Sequence, residues 1–370
     1  MRRVLFVCDL LGNGGAERQM TLLARSMPAD YQVRVFSLDD GPYAEVLHEL
    51  GVDLRVDPRR LRYDLLPALH LWKEMIQWRP DVVHSWGWMS SAASVVPCRL
   101  LGIPLIDGTI RQGCLQARWT RTNRYLVSRA DAVIANSEAG LAAYGLSGPG
   151  AFVVHNGFEA ERTHGGYGGA VHVRGAIAEV VMAGRMVREK DFDTLIEAAE
   201  EMRDQERKIR LTLVGTGAQR DRLVARCQEM TDAGLVSIMD CGLEIMPVLA
   251  KADIGVLLTD PRYHAEGVSN SIMEYMACGL PVVCTDSGGN REIVLDGRTG
   301  LIVPPRDPEA VVDALRLLLD EPDTARRFGE AGRERIHTEF STEAMVEKTV
   351  IVYDSVLRGR QRTSSSPDAP

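Results

Sequence analysis

The sequence predicts an α/β chain of two domains, each a parallel β-sheet covered by helices on both faces. Short, near-continuous apolar runs alternate with helical patterns along the whole chain, and a glycine-rich run, Gly165-Gly-Tyr-Gly-Gly169, separates two such sets. A length of 370 residues suffices for two cores of ordinary size. The first set of predicted strands is Val4–Cys8, Val33–Ser37, Val52–Val56, Val82–Ser85, Pro104–Asp107, Ala132–Ala135 and Phe152–Val154. The second is Glu179–Ala183, Arg210–Val214, Val236–Met239, Ile254–Leu258, Val282–Cys284 and Leu301–Val303. Helices fall between them, so the expected domains are residues 1–168 and 169–341. Two such halves facing each other would place the carboxyl ends of both sheets, where ligands bind in folds of this kind, on a common cleft. Residues 359–370 are polar and expected to be disordered.

Composition narrows the function classes. With 45% hydrophobic and 25% charged residues the chain reads as globular, and no apolar run approaches the ~20 residues that span a bilayer. The first residues enter a strand directly rather than a signal peptide, so a cytoplasmic location is expected. Seven scattered cysteines, with no C-x-x-C pair, suggest neither a disulfide framework nor a zinc site; Cys8, Cys278 and Cys284 read as small core residues. The net charge of −8 is uneven. Residues 1–170 hold 18 Lys and Arg against 17 Asp and Glu, and the remainder 25 against 34, so nucleic acid is an unsuitable partner.

The densest chemical signal is Glu266-Gly-Val-Ser-Asn-Ser-Ile-Met-Glu274, followed by Gly279-Leu-Pro281 and a buried strand. Ser269 or Asn270 is positioned to cap a helix, whose start offers free N–H groups and partial positive charge to a phosphate. Glu266 precedes that helix and Glu274 lies about one turn inside it, at ~1.5 Å rise per residue. Gly279 and Pro281 end it. Solvated acids on a surface helix would be the plainer interpretation of two such glutamates.

Two glycine loops invite a dinucleotide interpretation and fail it. Gly12-Asn-Gly14-Gly15-Ala-Glu17 carries Glu17, and Gly215-Thr-Gly217-Ala-Gln-Arg220 carries Arg220, where a small residue is needed for close helix–sheet packing.

The Glu266/Glu274 segment resembles the E-x7-E signature of the family 4 retaining glycosyltransferases, which have two facing Rossmann-like domains (the GT-B arrangement) and use nucleotide-diphosphate sugars. Gly184-Arg185-Met-Val-Arg188-Glu-Lys190 resembles the family's donor-diphosphate segment. Ser287-Gly288-Gly289-Asn-Arg-Glu292, Gly297-Arg-Thr-Gly300, the Gly12–Arg18 loop, Ala135-Asn136-Ser137-Glu138 and His155-Asn156-Gly157 follow in the family's order. The resemblance covers nearly the whole chain, most densely residues 180–305.

The resemblance implies an enzyme that moves a sugar, with retention, from a nucleotide diphosphate to a glycan or polyprenyl-linked acceptor. Arg185 and Lys190 would neutralise the leaving diphosphate without a metal, a planar fork beside a point charge, with Arg188 a competitor for either role. Glu266 would hold hydroxyls of the donor sugar at the reacting centre, with backbone N–H groups of Gly267, Val268 and Ser269 and the helix start at Asn270. Glu274 would bind the ribose. Neither glutamate need be a nucleophile, since enzymes of this kind are thought to react on one face of the sugar, so the two-carboxylate rule for hydrolases does not transfer. Gly14 and Gly15 would let backbone approach donor phosphate or acceptor, and Gly215 would border the base or diphosphate. The helix at about 342–358 would return to the first domain. No cofactor is implied.

One departure concerns a histidine that many members carry after the fifth strand. Here the segment reads Ile106-Asp107-Gly-Thr109-Ile-Arg111, leaving Arg111, Asp107 or His84 as acceptor-side candidates. Two basic, aromatic stretches raise an anionic membrane surface as a partner. One is acid-free, Gly108 to Ala130, with Arg111, Arg118, Trp119, Arg121, Arg124, Tyr125 and Arg129; the other is Arg59-Arg60-Leu-Arg62 followed by Leu65, Leu66, Leu69, Trp72, Met75, Ile76 and Trp78. The alternative for the second is a helix packed on its own sheet. Rival functions are a sugar-nucleotide epimerase or hydrolase, for which no acid–base pair is found in register, and a non-catalytic partner subunit, which four intact site residues argue against.

Overall fold

The computed structural model describes residues 1–60, 64–113, 120–163, 177–205 and 209–364; the Gly165–Gly169 run, Arg62, Arg118 and Trp119 lie outside them. The chain divides into two compact units, one holding residues 1–111, 115–157 and 342–370, the other 112–114 and 158–341.

In the first unit seven strands form one parallel sheet: β1 (Arg2–Cys8), β2 (Tyr31–Ser37), β3 (Asp53–Val56), β4 (Val82–Ser85), β5 (Leu105–Ile110), β6 (Ala132–Ala135) and β7 (Ala151–Val153), in the order β3-β2-β1-β4-β5-β6-β7. In the second, β8 (Ala178–Ala183), β9 (Ile209–Val214), β10 (Val236–Met239), β11 (Ile254–Leu257), β12 (Val282–Thr285) and β13 (Gly300–Val303) pair in parallel in the order β10-β9-β8-β11-β12-β13. All thirteen predicted strands are present. The central strands β4, β6, β11 and β12 are buried on both faces because helices cover both, which is why they read as continuous apolar runs, whereas the edge strands β3 and β7 are only partly covered. Each sheet reverses its strand order once, beside β1 and β4 in the first unit and beside β8 and β11 in the second. The loops leaving β8 and β11 therefore meet at the switch point where such sheets bind ligands.

The change of unit falls at Gly157–Phe158, earlier than the glycine run suggested. Gln19 grips Gly157 on both sides, its Nε2 donating to Gly157 O (3.0 Å) and its Oε1 accepting from Gly157 N (2.8 Å). The next N–H, of Phe158, donates to Phe340 O at 2.8 Å, and the ring joins the second core. The last helix, Thr342–Ser364, belongs to the first unit and outruns its expected end near 358. Arg358, Arg360 and Gln361 favour helix, so polarity alone did not end it.

The helix Leu66–Trp78 divides the apolar positions named above. Met75 and Trp78 are buried in the core with Leu71, whereas Leu65, Leu66, Leu69 and Ile76 are 73%, 50%, 54% and 51% exposed. On the helix Trp88–Leu101, Val96 and Leu100 are exposed as well.

Candidate functional site

Construction of the second-unit site begins with the helix Asn270–Ala277, which is fixed by what lies beneath it. Tyr275 is fully buried, and its hydroxyl accepts the N–H of Ala183, the last residue of β8, at 2.6 Å. Its ring lies over Gly255 of β11, where an added Cβ would approach Tyr275 Cγ to 2.5 Å. The helix is thus tied to both switch-point strands. It ends as its sequence demands, with Gly279 at φ +78° and Leu280 N donating to Tyr275 O (3.0 Å).

Ser269 occupies the N-cap in extended conformation, but its hydroxyl accepts no cap bond, contrary to the capping role expected of Ser269 or Asn270. The Ser269 hydroxyl therefore does not occupy the helix start, the end of a helix that favours a phosphate. Gly267, Val268 and Ser269 are buried beside it, and the Val268 side chain belongs to the core, leaving its backbone to face the loop.

Glu266 and Lys190 come together at the switch point. Lys190 Nζ lies 2.5 Å from Glu266 Oε1, and Thr259 Oγ1 donates to the same oxygen at 2.7 Å. Burial would raise the Glu266 carboxyl, but Lys190, His264 and the two hydrogen bonds outweigh it and hold the group below its usual range. His264 Nε2 stands 3.9 Å from Glu266 Oε2, and burial lowers the pKa of this imidazole. The Glu266 backbone is held by Gly288 and Gly289: Gly289 N donates to Glu266 O at 2.8 Å, while a Cβ at Gly288 would lie 2.0 Å from that carbonyl. Residue 112 reaches the same place, through a bridge between Gln112 and Glu266.

Arg185 is exposed in the loop after β8; its side chain makes no hydrogen bond or ion pair among the described residues and lies near enough to His264 to depress its pKa. Arg188 instead covers the ring of Tyr263, 4.8 Å from its centroid. Gly215 lies against the Gly184 carbonyl, which a Cβ would meet at 2.0 Å, so at φ +142° it packs one loop on the other. Glu274, 5% exposed, accepts from Arg162 Nη1 at 3.0 Å. Thr259, His264 and Arg162 escaped the sequence reading. Thr259 and His264 flank the motif without being in it, and nothing in the sequence joins Arg162 to Glu274.

The remaining candidates belong to the first unit. Gly14 precedes the helix Gly15–Ser26, and a Cβ on it would strike the Glu17 carboxylate at 2.1 Å. Asp107 is wholly buried and engaged by Ser91 Oγ (2.6 Å) and by Thr109 N (3.0 Å) and Oγ1 (2.6 Å); burial raises its pKa. His84 is 1% exposed with Nδ1 2.8 Å from the Tyr353 hydroxyl, which gives it a place in the packing of the last helix. Arg111 donates to Gly108 O (3.0 Å) and covers the Trp86 ring at 4.2 Å, and burial lowers its pKa to about 10. Asp107 and His84 are therefore engaged internally, and Arg111 is the more accessible of the three.

Comparison with known proteins agrees with this architecture. Residues 13–162 match the family described as Glycosyltransferase Family 4, and residues 178–321 the family described as Glycosyl transferases group 1. Glycogen synthase of Mycobacterium tuberculosis is 28% identical over 303 residues, covering 77% of this chain and 71% of that protein. The lipopolysaccharide core biosynthesis glycosyltransferase LpsE of Rhizobium meliloti is 34% identical over 173 residues, 46% of this chain and 48% of that protein. The crystal structure of Anabaena HepE in complex with UDP and glucose superposes with a TM-score of 0.81 at 20% identity, covering 96% of this chain and 100% of that one. Both halves of the sequence and both sheets lead to one conclusion: the chain belongs to the family 4 glycosyltransferases of the GT-B type.

Proposed function

We propose that this glycosyltransferase moves a sugar, with retention, from a nucleotide-diphosphate donor to a hydroxyl of a glycan or lipid-linked acceptor in cell-surface polysaccharide synthesis. The observation that carries the reading is the Lys190–Glu266 pair at the β8/β11 switch point, beside the start of the Asn270–Ala277 helix and an exposed Arg185. Negative charge grows on the departing phosphate, and fixed cations and N–H donors are the groups that stabilise it. Arg185, Lys190 and the 267–270 backbone supply them, and Glu274 takes the ribose. Glu266, held ionised, is unsuited to act as a general acid, whose carboxyl must be raised instead. It binds the sugar, and the leaving phosphate accepts the acceptor's proton. UDP and glucose in HepE and the lipopolysaccharide role in the name of LpsE support the donor class and the pathway.

A panel of uridine, guanosine and adenosine diphosphates tests the reading, because a bound ligand raises the melting temperature by mass action. One of the three stabilises the protein and Lys190→Ala abolishes the effect; no response to any of them would sink it. Transfer is then followed by nucleotide release with and without acceptor. Donor consumption independent of acceptor would favour the hydrolase alternative.

We further propose that the protein acts at the inner face of a membrane. No helix among the described residues is long and apolar enough to cross one. The exposed Leu65, Leu66, Leu69 and Ile76, with Arg59, Arg60 and Lys73 nearby in sequence, suit a surface of anionic lipid. Vesicles containing phosphatidylglycerol should bind the protein at low salt and release it at high salt, and Leu69→Asp/Ile76→Asp should not bind. Equal recovery of both proteins with the vesicles would overturn the assignment.

A further inference from the structure

The two carboxylate oxygens of Glu266 are used unequally. Oε1 takes both Lys190 Nζ and Thr259 Oγ1, whereas Oε2 has no hydrogen-bond partner among the described residues and faces His264 Nε2 at 3.9 Å. The imidazole also makes no side-chain hydrogen bond among the described residues, although its side chain is only 18% exposed. A buried polar pair too far apart to bond directly leaves room for one atom that bonds both. Two hydrogen bonds of about 2.8 Å bridge such a gap, and a hydroxyl has the chemistry to make them, donating to the carboxylate and accepting from the ring N–H. A phosphate oxygen lacks a proton to donate and would be repelled by Oε2.

We propose that Glu266 and His264 clamp a single hydroxyl of the transferred sugar, which makes His264 a specificity-determining residue. The inference rests on the nucleotide-sugar reading above. Lys190, Glu189 and Arg185 surround the imidazole together with Glu266, and burial keeps the ring neutral at pH 7, so it offers one N–H rather than a charge. The clamp discriminates by demanding both a donor and an acceptor on one atom. A deoxy sugar would leave Oε2 and Nε2 unpaired.

Calorimetric titration of the full chain with UDP, GDP, ADP, UDP-glucose, GDP-mannose and ADP-glucose separates the possibilities. For the nucleotide that binds wild type, His264→Phe lowers affinity for the sugar nucleotide by about tenfold or more and leaves the bare diphosphate within about twofold. His264→Gln, which keeps an N–H donor, recovers part of the loss. The donor analogue lacking the clamped hydroxyl binds wild type and His264→Phe equally. If both ligands weaken by the same factor in His264→Phe, or neither does, the clamp is wrong while the donor site stands. If wild type binds none of the six, the donor reading falls and the clamp with it.

Discussion

Lys190→Met lowers kcat/KM for glycosyl transfer by about a hundredfold or more, the range seen when one fixed donor to a developing anion is removed. His84→Ala, by contrast, leaves diphosphate affinity within about twofold, since it removes a ring packed against Tyr353 in the first unit. Equal affinities for the two variants would refute the phosphate assignment. Lys190 is also half of a buried pair with Glu266, so its loss destabilises the fold by about 3–5 kcal/mol if the carboxylate stays charged.

The pH dependence identifies which form is present. In wild type the Glu266 carboxyl is held below its unfolded value, so the folded state binds fewer protons between the two, and the contribution is full above about pH 4.3 and lost as pH falls through the folded pKa. Without Lys190, burial dominates and the carboxyl rises above its unfolded value. Stability is then lost as pH rises through that raised value. The melting-temperature gap between wild type and variant therefore narrows on acidification, and Lys190→Met/Glu266→Gln recovers stability at neutral pH without recovering transfer. A gap independent of pH would show that the pair does not control folding stability.

Much of this arrangement was legible in the sequence for identifiable reasons. Strands buried on both faces declare themselves as apolar runs, and the eight-residue spacing of Glu266 and Glu274 translates directly into one loop position and one helix position. What escaped depends on partners brought from other elements. Thr259 is an ordinary strand-end threonine until Glu266 folds back over it, and Arg162 pairs with Glu274 across 112 residues. His264 stands two residues before Glu266, yet no spacing rule linked its ring to Oε2. The unit boundary moved for a similar reason: glycine content marks where a chain can bend, whereas the hydrogen bonds of Gly157 and Phe158 decide where it changes partners. Asp107, a candidate by position, is held by its own neighbours Ser91 and Thr109, and His84 reaches Tyr353 through Nδ1, partners that the spacing of the sequence does not announce.

Gly288→Ala separates the importance of Glu266 placement from that of general stability. Gly288 has φ +54°, and a methyl group there would lie 2.0 Å from Glu266 O and 2.9 Å from Glu266 N. These are backbone atoms, which no rotamer change can move aside. The Glu266 loop must retreat by about 1 Å, and a misplacement of that size costs about a hundredfold in rate. Gly297→Ala is the matched control: Gly297 has φ +68° and nothing within 4 Å of the added carbon, so it bears the same left-handed cost of about 1–2 kcal/mol without displacing anything. Both variants should melt lower than wild type. Gly297→Ala should retain kcat/KM within about twofold, while Gly288→Ala should lose it about a hundredfold and keep the bare diphosphate, whose cationic contacts lie mainly in the loop after β8. If the two variants transfer sugar equally well, the position of Glu266 is not what the Ser287–Gly289 turn exists to hold.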